Sequence, residues 1–345
     1  MDKRKGRKIV KAISSSLDPS PNLSLAGSLT LSELFDVFIA AKQSEGRAER
    51  TIADHRKHFK YFNEWLQQVH SPIAPNDIDH GVIREWISYM LDEKVAYDGH
   101  PTSGRGSIGL KPGTVNIRLR SIKCMFKFFY DEGYLSHNPT QRIKLLRVED
   151  DGVQTFTVAQ IHGLLDQCDL STFTGFRDNT LMITLLDTGL RISEALTLTH
   201  EDVDLSRLVL TVTAKKAKTR KGRQVPISKK TGKMLSRLIS EVKRNFPEQA
   251  MVFVSNYGEP LLPSSFRQRL LNYAKAAGIK GVRVSPHTFR HTMAKMYILN
   301  GGDPFTLQRI LGHTDIQMSK RYVNMFLADI TQVHRRVSPL NWIKR

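Results

Sequence analysis

Asp187–Leu198 reads DTGLRISEALTL, and the third residue of that stretch decides how its surroundings fold. Upstream, FRDNTLMITLLDTG (Phe176–Gly189) spaces its apolar residues three and four apart, as a helix does. Gly189 is the residue type that a helix end favours when the chain must turn into the left-handed region. Arg191 then opens a second helix. A cation at a helix start opposes the helix dipole unless an anion is held there as well. The plain alternative is an i,i+3 pair between Arg191 and Glu194.

Further stretches follow downstream. RLVLTVTA (Arg207–Ala214) and RQVPIS (Arg223–Ser228) are strand-like and flank KKAKTRKG. They predict an antiparallel hairpin whose turn carries five cations, Lys215, Lys216, Lys218, Arg220 and Lys221. Such a turn is often only a solvated loop, yet it can also set an ammonium beside a phosphate. SPHTFRH (Ser285–His291) opens another helix, with Ser285 as N-cap and Pro286 at the first position. His287 and Arg290 share its first turn beside unpaired backbone N–H groups, which makes a small anion cradle with one titratable member. His287 and His291 also have a zinc spacing, but Thr288 stands where that motif needs a glutamate and Arg290 would repel the ion. No metal and no cofactor is expected. In LGHTDIQMSKRYV (Leu311–Val323), Leu311–Gly312 end a helix, His313 sits in the connection, and Thr314 or Asp315 caps the next helix. Tyr322 lies about two turns in, beside Lys320 and Arg321. Its phenol, ordinarily titrating near pH 10, is either a packed aromatic or a nucleophile waiting for an anionic partner.

The N-terminal half is helical in pattern. LSELFDVFIAAKQ, TIADHRKHFKYFNEWLQQV, HGVIREWISYMLDEK and GTVNIRLRSIKCMFKFFYDEGYL all carry three- and four-residue apolar spacing, and Ala96–Gly113 is a Gly/Pro-rich loop. In the last of these, Arg118, Arg120, Lys123 and Lys127 interleave with apolar residues, either as a solvated face or as a face laid on phosphates. Asn138-Pro139 predicts the end of that helix, and the polar run through Gly152 reads as a linker. The fold class is therefore mainly α with a small antiparallel β-sheet. A flexible basic arm covers 1–28, a helical domain 29–145, a linker 146–154, a second domain 155–326 and a tail 327–345.

Composition bounds the function. The 345 residues exceed what one core usually organises, so two domains are expected. The formal net charge of +19, from 52 Lys+Arg against 33 Asp+Glu, favours a polyanion such as nucleic acid. Cys124 and Cys168 are the two cysteines and form no CxxC, which argues for reduced thiols in a cytoplasmic protein. No apolar run of about 18 residues and no signal-peptide core occur, so neither a membrane span nor export is expected.

Taken as a set, TGLRISEALTL, the lysine hairpin, HTFRHTMA and LGHTDIQMSKRY resemble the catalytic domain of the tyrosine recombinases, the phage integrase family. The match runs from about Thr155 to Phe326, and the helical segment from Leu29 to Leu145 resembles the family's SAM-like core-binding domain. The resemblance implies a DNA strand transferase in which Tyr322 attacks a scissile phosphate and leaves a 3′-phosphotyrosine and a free 5′-hydroxyl. It assigns Arg191 and Arg290 to the phosphate, His313 to a hydrogen bond on it, and His287 to proton transfer at the phenol. The general acid is a hairpin lysine, Lys218 by counting back eight residues from Pro226, with Lys216 and Lys221 as alternatives. Glu194 supports the arginine region. Lys216, Arg220, Lys221, Arg118, Lys123 and Lys127 are DNA-contact candidates, while His291 and Lys320 serve as DNA-contact or packing residues. Two fixed guanidiniums can stabilise the pentavalent phosphate, so neither metal nor ATP is required.

The implied partner is double-stranded DNA at a specific site, bound by a homotetramer on two duplexes, with a monomer in the absence of DNA. The segment before the first helix is too short for an arm-binding domain. The expected role is integration, excision or transposition of a mobile element, with a Xer-like dimer resolvase or a type IB topoisomerase-like enzyme as alternatives. The tail carries an apolar stripe, Phe326, Leu327, Ile330 and Val333, followed by Leu340, Trp342 and Ile343, which must dock on its own domain or on a neighbouring protomer.

Overall fold

The computed structural model describes residues 29–95, 106–148, 152, 154–214, 222–312, 334–335 and 338–343. The chain divides into two compact units, Met1–Asp150 and Asp151–Arg345. Outside the described residues lie the expected N-terminal arm, most of the Ala96–Gly113 loop, the hairpin turn, His313, Tyr322 and the tail stripe from Phe326 to Val333.

The first unit is built on α1 (Leu31–Ser44), α2 (Glu49–Val69), α3 (His80–Asp92) and α4 (Pro112–Asp131). Thr30 and Glu33 form a reciprocal capping box at the start of α1, and Asp79 caps α3 by accepting from the N–H groups of Gly81 and Val82. The other three helices pack on α4. Their shared core is aromatic: Phe35 stacks on Phe59 with ring centroids 3.8 Å apart, and Phe62 meets Trp86 and Phe126 edge-on. Helix α4 stops at Asp131, before Asn138-Pro139, because Gly133 takes the chain into the left-handed region at φ 77°. Asn138 caps a later turn, accepting from the N–H and hydroxyl of Thr140. The chain then runs back along α4. Lys123 Nζ donates to the carbonyls of Thr140 and Ile143, each at 2.6 Å, and Asn116 exchanges two hydrogen bonds with Leu146.

The second unit opens with α5 (Val158–Asp166) and turns on α6 (Phe173–Thr188), a helix buried along most of its length. Thr180, Thr184 and Thr188 survive in this apolar setting because each hydroxyl donates to the carbonyl four residues back. Short α7 (Ile192–Leu196) leads to a three-stranded antiparallel sheet in the order β1 (Val203–Asp204), β2 (Val209–Val212), β3 (Arg223–Pro226). β1 lies outside the two runs that read as strands; two residues carry no period of their own. Leu210 faces Val225 across the β2–β3 ladder, both fully buried, which sets the register. α8 (Lys229–Asn245), α9 (Pro263–Ala276), α10 (Pro286–Leu299) and α11 (Pro304–Leu311) complete the unit. Helix α6 packs on α8 and α10, and α11 on β3 and α10. Among the described residues no helix is long and apolar enough to cross a membrane.

Candidate active site

Gly189 ends α6 at φ 62°, and two residues later Arg191 stands at the N-cap of α7 with extended backbone. Its N–H donates to Glu194 Oε2 and its Nη1 to Glu194 Oε1, each at 3.0 Å. The ion pair and the helix start are thus one arrangement, and the carboxylate supplies the anion that an arginine at this end requires.

Glu194 is fully buried and shared. Arg223, on β3, donates from Nη2 to Oε2 at 2.8 Å and from Nη1 to Oε1 at 3.2 Å. Burial pushes the Glu194 carboxyl up, but the Arg223 hydrogen bonds, the Arg191 N–H and both guanidinium charges outweigh it and hold the group below the usual range. Arg223 also donates from Nε to the carbonyl of Ile310 at 2.8 Å.

Arg290 is the fifth residue of α10, a helix at whose start Ser285 accepts from the Thr288 N–H and Pro286 fills the first position. It is 6% exposed. Nη1 donates to the carbonyl of Gly189 at 2.6 Å and Nη2 to that of Leu311 at 2.8 Å. The last carbonyls of a helix have no partner inside it. Two consecutive ones at the end of α11, on Ile310 and Leu311, are therefore taken by guanidiniums, which also complement the negative end of the dipole. Gly312 follows at φ 65°, and a Cβ there would lie 3.0 Å from Arg223 Nη1. The C-caps of α6 and α11, the start of α7, strand β3 and helix α10 thus meet on three arginines and one carboxylate. Those four side chains carry a formal charge of +2, three positive less one negative. Guanidiniums gathered at one junction in this way are suited to hold an anion.

His287 sits on the exposed side of the first turn of α10. His313, Tyr322, Lys216, Lys218, Arg220 and Lys221 lie outside the described residues: the first two follow Gly312 in the chain, and the four cations fall between β2 and β3. Sequence reasoning missed Arg223. Its signal was strand alternation: it is two residues from fully buried Val225 and so shares the inward face, where a charge needs a partner. Among the described residues no cluster of three His, Cys, Asp or Glu side chains could hold a metal ion.

A second buried network joins α6 to α9. Asp178 accepts from Arg177 Nε and Nη2 at 2.9 and 2.7 Å, from Arg269 Nε, and from the Tyr273 hydroxyl at 2.9 Å. Burial and the Asp178 charge push the Tyr273 phenol well above its ordinary value, in keeping with its hydroxyl donating to Asp178. In the first unit Lys127 is exposed and pairs with Asp131, Arg118 lies over the Tyr61 ring at 4.2 Å, and Lys123 is committed to the two carbonyls already described.

The phage integrase family matches residues 154–327, and the phage integrase SAM-like domain matches residues 30–145. The chain is 27% identical to tyrosine recombinase XerD of Pseudomonas putida over 310 residues, 89% of this chain and 97% of that protein. It is 30% identical to tyrosine recombinase XerC of Chlamydia muridarum over 66% of this chain and 72% of that one. Among solved structures, the Tn1549 transposon integrase in complex with a circular intermediate DNA superposes with a TM-score of 0.66 at 21% identity, covering 86% of this chain and 95% of that one. A lambda integrase dimer bound to a core site gives 0.64 at 17% identity, covering 84% and 97%.

Proposed function

The chain belongs to the phage integrase family, and from that premise we propose that it is a site-specific DNA recombinase that cuts and rejoins strands through a 3′-phosphotyrosine at Tyr322. The observation that carries this reading is the cluster of Arg191, Arg223, Arg290 and Glu194, which grips the helix end from which the Tyr322 segment leaves. In the pentavalent transition state charge builds on the non-bridging oxygens. Arg191, held by Glu194, and Arg290, held between two carbonyls, stabilise it as prearranged donors that need not reorganise during the reaction. His313 donates a further hydrogen bond. His287 moves the phenol proton, a task to which imidazole is suited as a residue type. Lys218, with Lys216 and Lys221 as alternatives, protonates the leaving 5′-oxygen. Phosphate charge is met by guanidiniums, and bond energy is kept in the phosphotyrosine, so the chemistry calls for neither metal nor ATP.

The partner is duplex DNA carrying a specific site. Exposed Lys127 and the hairpin cations Lys216, Arg220 and Lys221 are suited to its backbone, whereas Lys123 serves the fold. Exchange takes place in a homotetramer on two duplexes, with the tail docked on a neighbour; Leu340 and Ile343 are largely exposed and await such a cover. The biological role is integration, excision or transposition of a mobile element. A second reading, resolution of chromosome or plasmid dimers, is favoured by the likeness to XerD along nearly all of that protein.

Nicked suicide duplexes run on denaturing gels test the chemistry. Wild-type protein forms a covalent band that survives EDTA, and Tyr322→Phe binds the same DNA without forming one. A band from Tyr322→Phe excludes this nucleophile, and a band that needs Mg²⁺ excludes the metal-free mechanism. Sequencing the trapped cleavage sites separates the two biological roles.

A further inference from the structure

The mechanism above leaves Arg223 without a task, although it is the side chain through which most of the site is joined. We propose that Arg223 is a positioning residue for strand cleavage, setting the phosphate-binding Arg191 and the helix end before the nucleophile with one guanidinium; this rests on the recombinase reading. Three of its contacts carry the inference. The Nη pair takes both oxygens of Glu194, the same carboxylate that fixes the Arg191 backbone and guanidinium. The Nε–H takes the carbonyl of Ile310, next to the Leu311 carbonyl held by Arg290. The side chain itself is 9% exposed and rises from β3, whose neighbour Val225 is locked in the core.

A planar fork of this kind has one geometry that satisfies all three acceptors. Moving α11 relative to Glu194 breaks the Nε bond or the Nη bonds, so the Arg191 end and the α11 end cannot shift independently. Lysine carries the charge but has a single nitrogen and cannot span a carboxylate and a carbonyl in fixed directions. Gly312 belongs to the same device, since any side chain there would press on the guanidinium.

The contacts also say which step is affected. They lead to the phosphate-binding arginine and to the segment before the nucleophile, while the proposed leaving-group acid, Lys218, precedes Gly222 in the chain. Loss of Arg223 therefore slows attack without removing the acid. The expected loss for Arg223→Lys is about 10–100-fold in the single-turnover cleavage rate at saturating DNA, by analogy with groups that orient a reactive centre from behind. The loss is the same on a substrate whose 5′-bridging oxygen is sulfur, whereas the defect of Lys218→Ala disappears there because a thiolate leaves without an acid. Wild-type protein and Tyr322→Phe run beside it. If wild type forms no covalent complex the recombinase reading fails; if it does, the Arg223 result judges the positioning role alone. Rates are referred to the folded, DNA-binding fraction, and Gly312→Ala, which crowds the guanidinium and also strains a backbone at φ 65°, is a second variant whose loss should likewise persist on the sulfur substrate. An unchanged rate in Arg223→Lys, rescue of that variant by sulfur, or a loss that vanishes once the unfolded fraction is discounted would each overturn the proposal.

Discussion

The two units bury their polar groups in different ways. In the first, the buried polar side chains among the described residues are Asn116, Ser121 and Thr140, all neutral, in a core rich in aromatics that meet mostly edge-on or tilted. The second buries Arg177, Asp178, Glu194, Asp202 and Arg290 beside its aliphatic core. A buried charge weakens a fold unless it is paired, and replacing a pair by apolar residues is often neutral or better. Stability alone gives no reason to keep so many in one unit. The Asp178 network fastens α6 to α9, and the Glu194 network surrounds the junction that we propose binds a phosphate. Buried charge gathers in the unit to which we assign the chemistry, and aromatic packing dominates the other.

Breaking that contrast is most direct at its strongest points. Glu194→Ala strands two guanidiniums and is expected to lower the stability of the second unit by about 3–5 kcal/mol. Phe62→Ala empties a fully buried aromatic site in the first and lowers its stability by about 3–5 kcal/mol. Denaturant melts followed by hydrogen exchange assign each loss to its unit, and a Glu194→Ala protein with near wild-type stability refutes the role given to that carboxylate. Arg290→Lys keeps a buried cation but loses the fork. Cleavage falls by about 10²–10³, as for loss of one transition-state donor, with target affinity much less affected.

A change of pH sharpens the comparison without mutation. Burial lowers the pKa of His55 and His58 on α2, reinforced by Lys42 at the first and by Arg118 at the second. Both imidazoles are favoured neutral in the fold. Their support is complete above the ordinary histidine value near 6.5 and is lost as pH falls towards the lower folded values. Glu194 is depressed too, so its support is complete above the ordinary 4.5 and fades only as pH falls through a still lower value. Exchange measured from pH 7 down to 3.5 should show the first unit loosening before the second; the reverse order breaks the contrast. The smallest effects lie on α4. Lys123→Met, which leaves two carbonyls without a charged donor, costs about 1–3 kcal/mol in stability. Lys127→Ala costs less than about 0.5 kcal/mol but weakens DNA binding and lowers its salt dependence by about one ion.

Much of this was legible from residue order because its signals are local. Gly189, Ser285-Pro286 and Leu311-Gly312 announce helix ends through backbone chemistry, and the structure ends or starts helices there. The i,i+3 pair of Arg191 and Glu194 was visible for the same reason. What escaped is set by distant partners. Arg223 reads as the first residue of a strand-like run until Glu194 and Ile310, 29 and 87 residues away, are brought beside it. Lys123 reads as a surface cation until the chain folds back along α4. Asn138-Pro139 misled because a breaker marks where a helix cannot continue, and Gly133 had already ended it.

The two cysteines have a practical consequence. Cys168 is buried, with its thiol pushed up to about 11 by burial and by the nearby Asp178 carboxylate. At neutral pH its thiolate fraction is about 10⁻⁴, too small to compete for an electrophile. Cys124 is exposed on α4, beside Lys123 and Lys127 in an open cleft. A maleimide dye should therefore attach at one place in the unmodified protein. Placed among the cations of that cleft, it becomes a fluorescent gauge of how DNA settles on the first unit, read in real time while the second carries out the chemistry.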